Sequence, residues 1–308
     1  MRISSAYAYD SAVGNLQRRQ QALTESQEKL TSGKRVLKPS DDPVAAAAAE
    51  RAMAAVTRSE AQMRALDVSR NAMQLSESAL GQAGELMQQA RELLVGAGNG
   101  SYTDAERRTI ADAIQGLRAD LLSVANRSDG AGRYLFGGQG ADGPPLQDGP
   151  GGVSYNAAAG QLNAAAGDAS PLSIDGRSAW LQAPDPSSPG TSLSIFDVMD
   201  RVVAELRTPG RTATDVALTV SEGLGDFDAG AENLSAWRAR TGEALRRIDT
   251  IGERLGQTKL DAQRDQSDAE DLDMLQAISD FQNRQTGYDA ALKSYSIVQQ
   301  MSLLQYLR

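Results

Sequence analysis

Three short stretches carry residue types at spacings used in chemistry. Gly138-Gln139-Gly140-Ala141-Asp142-Gly143 has the G-x-G-x-x-G spacing of a dinucleotide loop, where glycines let a pyrophosphate approach a helix N-terminus. Pro144-Pro145 stands where that helix has to begin, so the fingerprint fails. Ser32-Gly33-Lys34-Arg35 has the ending of a phosphate-binding loop, but no glycine precedes it at the required distance. It reads instead as a helix C-cap, with Gly33 as the turn residue and basic side chains at the negative end of the dipole. Asp41 and Asp42 form a carboxylate pair suited to acid/base work, yet Pro43 follows them. Asp42 is therefore expected as a helix N-cap and Pro43 as the first helical residue.

The acidic run Asp268, Glu270, Asp271 and Asp273 lacks the glycine and terminal glutamate of a calcium loop and reads as a solvated face. Sequons at Asn99, Asn126 and Asn233 carry little meaning without a secretory signal. With no cysteine and no histidine, thiolate and imidazole metal sites, disulfides, cysteine nucleophiles and Ser-His-Asp triads are excluded. The expectation is a protein without catalytic residues, metal or cofactor, and not an enzyme. A net charge of -9 repels a phosphate backbone and anionic lipid, so neither nucleic acid nor membrane is expected as a partner. No run approaches the ~18 apolar residues of a spanning helix, and residues 1–16 lack the apolar core of a cleaved signal.

The elements that hold these residues follow from the prolines. Seven of the ten prolines and eleven of the 29 glycines lie between Gly137 and Gly190, and none of the prolines falls in 44–143 or 210–308. The two proline-free arms carry heptad spacing. Leu66, Met73, Leu80, Met87 and Leu94 recur every seven residues, with Ser69, Ser76, Ala83 and Ala90 between them, small enough for close helix approach. Asn99-Gly100 signals a turn, and Thr103 with Glu106 forms a capping box for a helix seamed by Ile110, Ile114, Leu117, Leu121 and Val124. A further seam runs through Leu234, Trp237, Thr241, Ala244, Ile248, Ile251, Leu255 and Thr258.

Both ends carry stripes of their own: Leu16, Leu23 and Leu30 near the start, and Ile278, Phe281, Tyr288, Leu292, Tyr295, Val298, Met301 and Leu304 near the close. These stripes are expected to pair with each other or with neighbouring subunits, and they are the candidate assembly residues.

The fold class expected is mainly α: a long-helix coiled-coil rod formed by the N- and C-terminal arms, with a small β-rich inserted domain. The expected divisions are a terminal coiled-coil assembly domain (1–42 with 268–308), a helical rod domain (43–136 with 195–267) and a β-rich or loop insert (137–194). Within the insert, strands are expected at 153–155, 172–174 and 179–181, with Asp175-Gly176 as a hairpin turn. The insert is expected to be removable without harm to the helical frame.

The opening Met1-Arg2-Ile3-Ser4, the segment LTSGKRVLKPSDDPVAAA (30–47), ANRSDGAGRYLFGG (125–138) and the closing SLLQYLR (302–308) together resemble the flagellin-like family. The Met-Arg-Ile-Ser start, Pro43 after the double aspartate, the Tyr134-Leu135-Phe136-Gly137-Gly138 exit and the modest length favour the members that join hook to filament. The resemblance implies an extracellular structural subunit of the bacterial flagellum, exported unfolded through the flagellar type III channel without a cleaved signal peptide. The partners it implies are further copies of the chain in a ring or helical assembly, the other junction protein on the hook side, flagellin on the filament side, and a cytoplasmic export chaperone. Two alternatives stay open: a short flagellin that builds the filament itself, and a coiled-coil component of a secretion apparatus.

Overall fold

The computed structural model of the chain describes residues 2–164 and 170–306, and the side chains of 7, 9–164 and 170–297. The order of elements is α1 (Arg2–Ser32), α2 (Pro43–Ala97), α3 (Asp104–Ala125), β1 (Leu146–Gly149), β2 (Gly152–Tyr155), β3 (Asn163–Ala164), β4 (Ser170–Pro171), α4 (Gly176–Trp180), β5 (Ala183–Pro184), β6 (Ser192–Leu193), α5 (Ile195–Arg207), α6 (Ala213–Glu270) and α7 (Met274–Tyr306). The protein is mainly α with a small β-containing insert. It forms two compact units, residues 60–256 and residues 1–59 with 257–308, and the long helices α2 and α6 supply residues to both.

Local chemistry sets the helix starts. Thr103 Oγ1 accepts from the Glu106 N–H at 3.3 Å while Glu106 Oε2 accepts from the Thr103 N–H at 2.7 Å, the reciprocal capping box expected for α3. Thr212 and Asp215 repeat the exchange at the start of α6, and Ser194 Oγ caps α5.

In the 60–256 unit α2 and α6 run antiparallel. Arg70, Glu77 and Arg91 of α2 pair with Asp249, Arg238 and Asp228 of α6, at 3.1, 2.7 and 2.7 Å. Between these rims lies the seam expected from the heptads: Leu66, Met73, Leu80, Met87 and Leu94 are buried, and Ser69, Ser76, Ala83 and Ala90 are fully enclosed. Leu234, Ile248 and Ile251 answer from α6, whereas Thr258 lies exposed. α3 packs Ile114 and Leu121 into the same core, and α5, with Phe196, Met199, Val203 and Leu206 buried, lies against α3.

The exit from α3 is a tight return loop. Asp129 Oδ1 accepts from the Ala131 and Arg133 N–H groups at 2.8 and 3.1 Å, and Leu135 N–H reaches Arg127 O at 3.0 Å. This delivers Leu135 and Phe136 to the core. Gly138 follows at φ +58°, where a Cβ would collide with the Ala158 carbonyl oxygen. No helix opens at Gly143, and the chain runs on into β1.

Within the insert, β1–β2, β3–β4 and β5–β6 are three separate antiparallel pairs. The strand expected at 153–155 is β2, but those expected at 172–174 and 179–181 do not form. Asp175 caps α4 instead, its carboxylate accepting from the Arg177 N–H at 3.0 Å, so the Asp-Gly pair starts a helix rather than a hairpin. That short helix drives Trp180 into the core, fully buried, edge-on to Phe136 at 5.1 Å and 6.2 Å from Phe196. Tyr155 donates to Phe136 O at 3.1 Å, and burial pushes its hydroxyl up to about 12, so it stays a donor.

Arg118 of α3, itself buried, fastens the β1–β2 hairpin. It makes a bidentate pair with Asp148 at 2.7 and 2.9 Å, its Nε lies 2.6 Å from Asp200 as an ion pair, and it stacks over Phe196. Asn126 exchanges two hydrogen bonds with Leu146, and Asn233 donates to Ser178 O and Ala179 O, which ties both of those amides into the fold.

Leu146, Tyr155, Ile174 and Trp180 thus share one buried cluster with the long-helix seam, so the insert completes the core of the frame instead of standing beside it. The expectation that it is removable is corrected: the proline and glycine count marked irregular backbone but not the aromatic plug. Trp180→Ala is expected to cost about 3–5 kcal/mol of stability in the 60–256 unit. Urea unfolding followed by helical circular dichroism measures it.

Candidate assembly site

The ends of the chain form an antiparallel helix pair. α1 packs against α7, with Tyr9 and Tyr295 in ring contact at 5.9 Å and Arg284 Nη1 donating to Ala22 O at 3.0 Å. Leu16, Leu23 and Leu30 are half-buried, as are Phe281, Tyr288 and Tyr295. Ile278 and Leu292 stay 44% and 41% exposed. The side chains of Val298, Met301 and Leu304 lie outside the described residues.

The same helices expose residues that the stripe reading passed over, Tyr7, Tyr9, Leu275 and Ile297, with Leu275 at 85%, and Met274, which opens the closing stripe, is exposed as well. Leu275 stands beside the start of the closing stripe, and its neighbourhood was the available signal. One face of the pair therefore closes within the chain, and the other presents apolar side chains to water.

Two breaks in the helices meet at one level. α1 ends at Ser32, and Gly33 follows with a φ of +71° that suits glycine and an N–H that reaches Lys29 O at 2.9 Å. α6 ends at Glu270, and three residues separate it from α7. The two linkers pair as a short antiparallel bridge between Lys34 and Asp271: Leu272 N–H donates to Gly33 O at 2.9 Å and Arg35 N–H to Glu270 O at 2.7 Å. Lys34 Nζ sits 2.9 Å from Glu270 Oε1, and Arg35 reaches Ala269 O at 2.7 Å and Asp42 at 3.1 Å. The basic residues of Ser32–Arg35 thus serve the end of α6 rather than that of α1, which corrects the dipole reading.

Asp41 Oδ2 accepts from the Leu37 and Lys38 N–H groups, each at 3.1 Å, and these bonds hold its carboxyl below the usual range. Asp42 Oδ1 accepts from the Ala45 N–H at 3.0 Å, with Pro43 as the first residue of α2; that bond, and Arg35 beside it, lower Asp42 as well. The acidic run lies at the surface as expected, with Asp268, Asp271 and Asp273 exposed and Glu270 half-buried, and three of its members also make local bonds. Glu270 binds Lys34, Asp271 accepts from the Ser267 hydroxyl, and Asp273 caps α7 through the Leu275 and Gln276 N–H groups at 3.0 and 3.2 Å. Among the described residues no cluster of acidic side chains is arranged to hold a metal ion.

Two family descriptions match the chain: the bacterial flagellin N-terminal helical region over residues 3–141 and the bacterial flagellin C-terminal helical region over residues 224–307. Flagellar hook-associated protein 3 of Escherichia coli is 30% identical over 319 residues, covering 99% of each chain. Its namesake in Salmonella typhimurium is 28% identical over the full length of both. The chain belongs to the flagellin family.

Among solved structures, the flagellar junction protein FlgL of Legionella pneumophila shares the fold at a TM-score of 0.55 and 17% identity, over 62% of this chain and 95% of that one. The family's N-terminal region takes in α1, α2, α3 and the return loop, and its C-terminal region takes in α7 and most of α6. Residues 142–223, with the strands and α5, lie between the two.

Because the Asp41 and Asp42 carboxyls are depressed, their contribution is complete above the ordinary value of 3.8 and disappears as the pH falls through their lowered values. Hydrogen exchange at the Leu37, Lys38 and Ala45 amides is therefore expected to lose its protection only in that acid range. Asp41→Ala, which removes the accepting oxygen, is expected to release Leu37 and Lys38 at neutral pH while leaving Ala45 protected.

Proposed function

We propose that this chain is a structural subunit of the bacterial flagellum that joins hook to filament by self-assembly through its terminal helices. The observation that carries the reading is the end-to-end alignment with hook-associated protein 3 of two bacteria, which leaves none of this chain's helical frame unmatched. The exposed face of the α1–α7 pair supplies the means. A large apolar side chain moving from water into an intersubunit seam contributes about 1.5–3 kcal/mol at full burial, so Tyr7, Leu275, Ile278, Leu292 and Ile297 together form a substantial driving force. The 60–256 unit makes the lateral contacts between copies. The role is architectural, not enzymatic.

The partners in this reading are further copies of the chain, the other junction protein towards the hook, and flagellin towards the filament. The chain works outside the cell and reaches that place unfolded through the flagellar type III channel. A cytoplasmic chaperone covers the apolar end of α7 until export. The terminal assembly domain is residues 1–42 with 268–308, the rod is 43–136 with 195–267, and the insert is 137–194.

Shared flagellin regions favour one competing reading, a short flagellin, and growth behaviour separates the two. Purified chain added to isolated hook fragments is expected to form a short zone that stops and then accepts flagellin. Long homopolymers would establish the flagellin reading, and no addition to hook ends would remove both. Truncation of residues 293–308 is expected to abolish addition while the helical signal of the 60–256 unit persists. A truncated chain that still joined the hook would move the assembly site away from the terminal helices.

A further inference from the structure

The turn between α2 and α3 holds an arrangement that the assembly role does not use. Asn99 lies exposed two residues past the end of α2, followed by Gly100 and Ser101. The backbone around it is fixed on both sides, since Asn99 N–H donates to Gly96 O at 3.1 Å and Asn99 O accepts from the Tyr102 N–H at 3.1 Å. Its side-chain oxygen Oδ1 accepts two further bonds, from the Ser101 N–H at 3.1 Å and from the Ser101 hydroxyl at 2.8 Å. The carboxamide is thereby polarised by two donors while the peptide nitrogen of Gly100, which carries no side chain to shield it, follows directly.

We propose that Asn99 is a site of self-modification in the folded protein, converted to aspartate and isoaspartate with Ser101 as the assisting residue. The Gly100 nitrogen gives up its proton to solvent and attacks Asn99 Cγ, and the electron pair of the C=O moves onto Oδ1. The negative charge appears at the atom held by the Ser101 N–H and hydroxyl, a small oxyanion hole. Collapse expels Nδ2 with a solvent proton as ammonia and leaves a five-membered imide between Asn99 and Gly100. Water then opens the ring at either carbonyl. One opening restores the original backbone with a carboxylate at 99; the other passes the chain through the side-chain carbon and adds a methylene to the turn. No oxidant or cofactor enters.

Each event adds one negative charge to a chain already at -9 and places it between the end of α2 and the start of α3. Asn126 and Asn233 are held by hydrogen bonds to the main chain and are followed by arginine and leucine, so neither has the glycine nitrogen that Asn99 has.

Peptide mass spectrometry of the full chain, incubated in mildly alkaline buffer both folded and unfolded in urea, tests the proposal. The folded chain is expected to convert Asn99 faster than the unfolded one. Ser101→Ala is expected to slow the folded reaction about fivefold, the rate equivalent of one hydrogen bond, and to leave the unfolded reaction unchanged. Gly100→Ala folds normally, because a Cβ there meets no atom within 4 Å, and is expected to suppress conversion in both states. Faster conversion in urea than in the folded state would overturn the proposal. An unchanged rate in folded Ser101→Ala would overturn it too, as would wild-type conversion in Gly100→Ala.

Discussion

The close approach of α2 and α6 is the constraint on which the larger unit depends. Small residues of α2 are fully enclosed in that core, Ser76, Ala83 and Ala90 along the helix and Ser69 beneath the insert, where its hydroxyl donates to Pro171 O. The fit is tight at Gly223, where a Cβ would come within 2.9 Å of methyl groups of both Leu94 and Val202, so a side chain there would press α2 and α5 apart. Gly230 leaves room for Ile195 at the other end of α5 in the same way. The charged pairs along the rim sit in water and add little stability individually, but they fix which residues face one another.

Much of this frame is legible in the sequence because its causes are local or periodic. The seven-residue recurrence from Leu66 to Leu94 states which face is buried, and Thr103 with Glu106 states where α3 begins. Asp42 and Pro43 announce α2 in the same manner. The insert is opaque for a reason that Asp175 illustrates. An Asp-Gly pair serves a hairpin turn or a helix cap equally well, and the choice falls to the burial of Trp180 against Phe136, a contact between segments 44 residues apart in sequence. Within the acidic run before α7, Glu270 is opaque likewise, since it acquires its meaning from Lys34, 236 positions away.

The assembly residues are legible as a stripe and not as a surface. Spacing identifies Leu16, Leu23 and Leu30 as apolar partners of something, and it is equally satisfied by a helix of the same chain or of another copy. The fold divides that ambiguity: Tyr288 and Tyr295 turn half inward, while Ile278 and Leu292 keep much of their surface in water. No periodicity in a single sequence encodes that division, because it depends on how the two helices are rotated against each other.

The bridge between Lys34 and Asp271 carries a consequence for how the chain can vary in length. α1 has 31 residues and α7 has 33, about 47 and 50 Å at 1.5 Å per residue, and both are tied at the same end. One inserted residue in either helix would rotate everything beyond it by about 100° and slide Tyr9 past Tyr295. The outward apolar face would then be split across two sides of the pair. Length is therefore quantised: the terminal helices can grow or shrink only in matched steps of about seven residues, while the segment between the two matched flagellin regions is free of that rule.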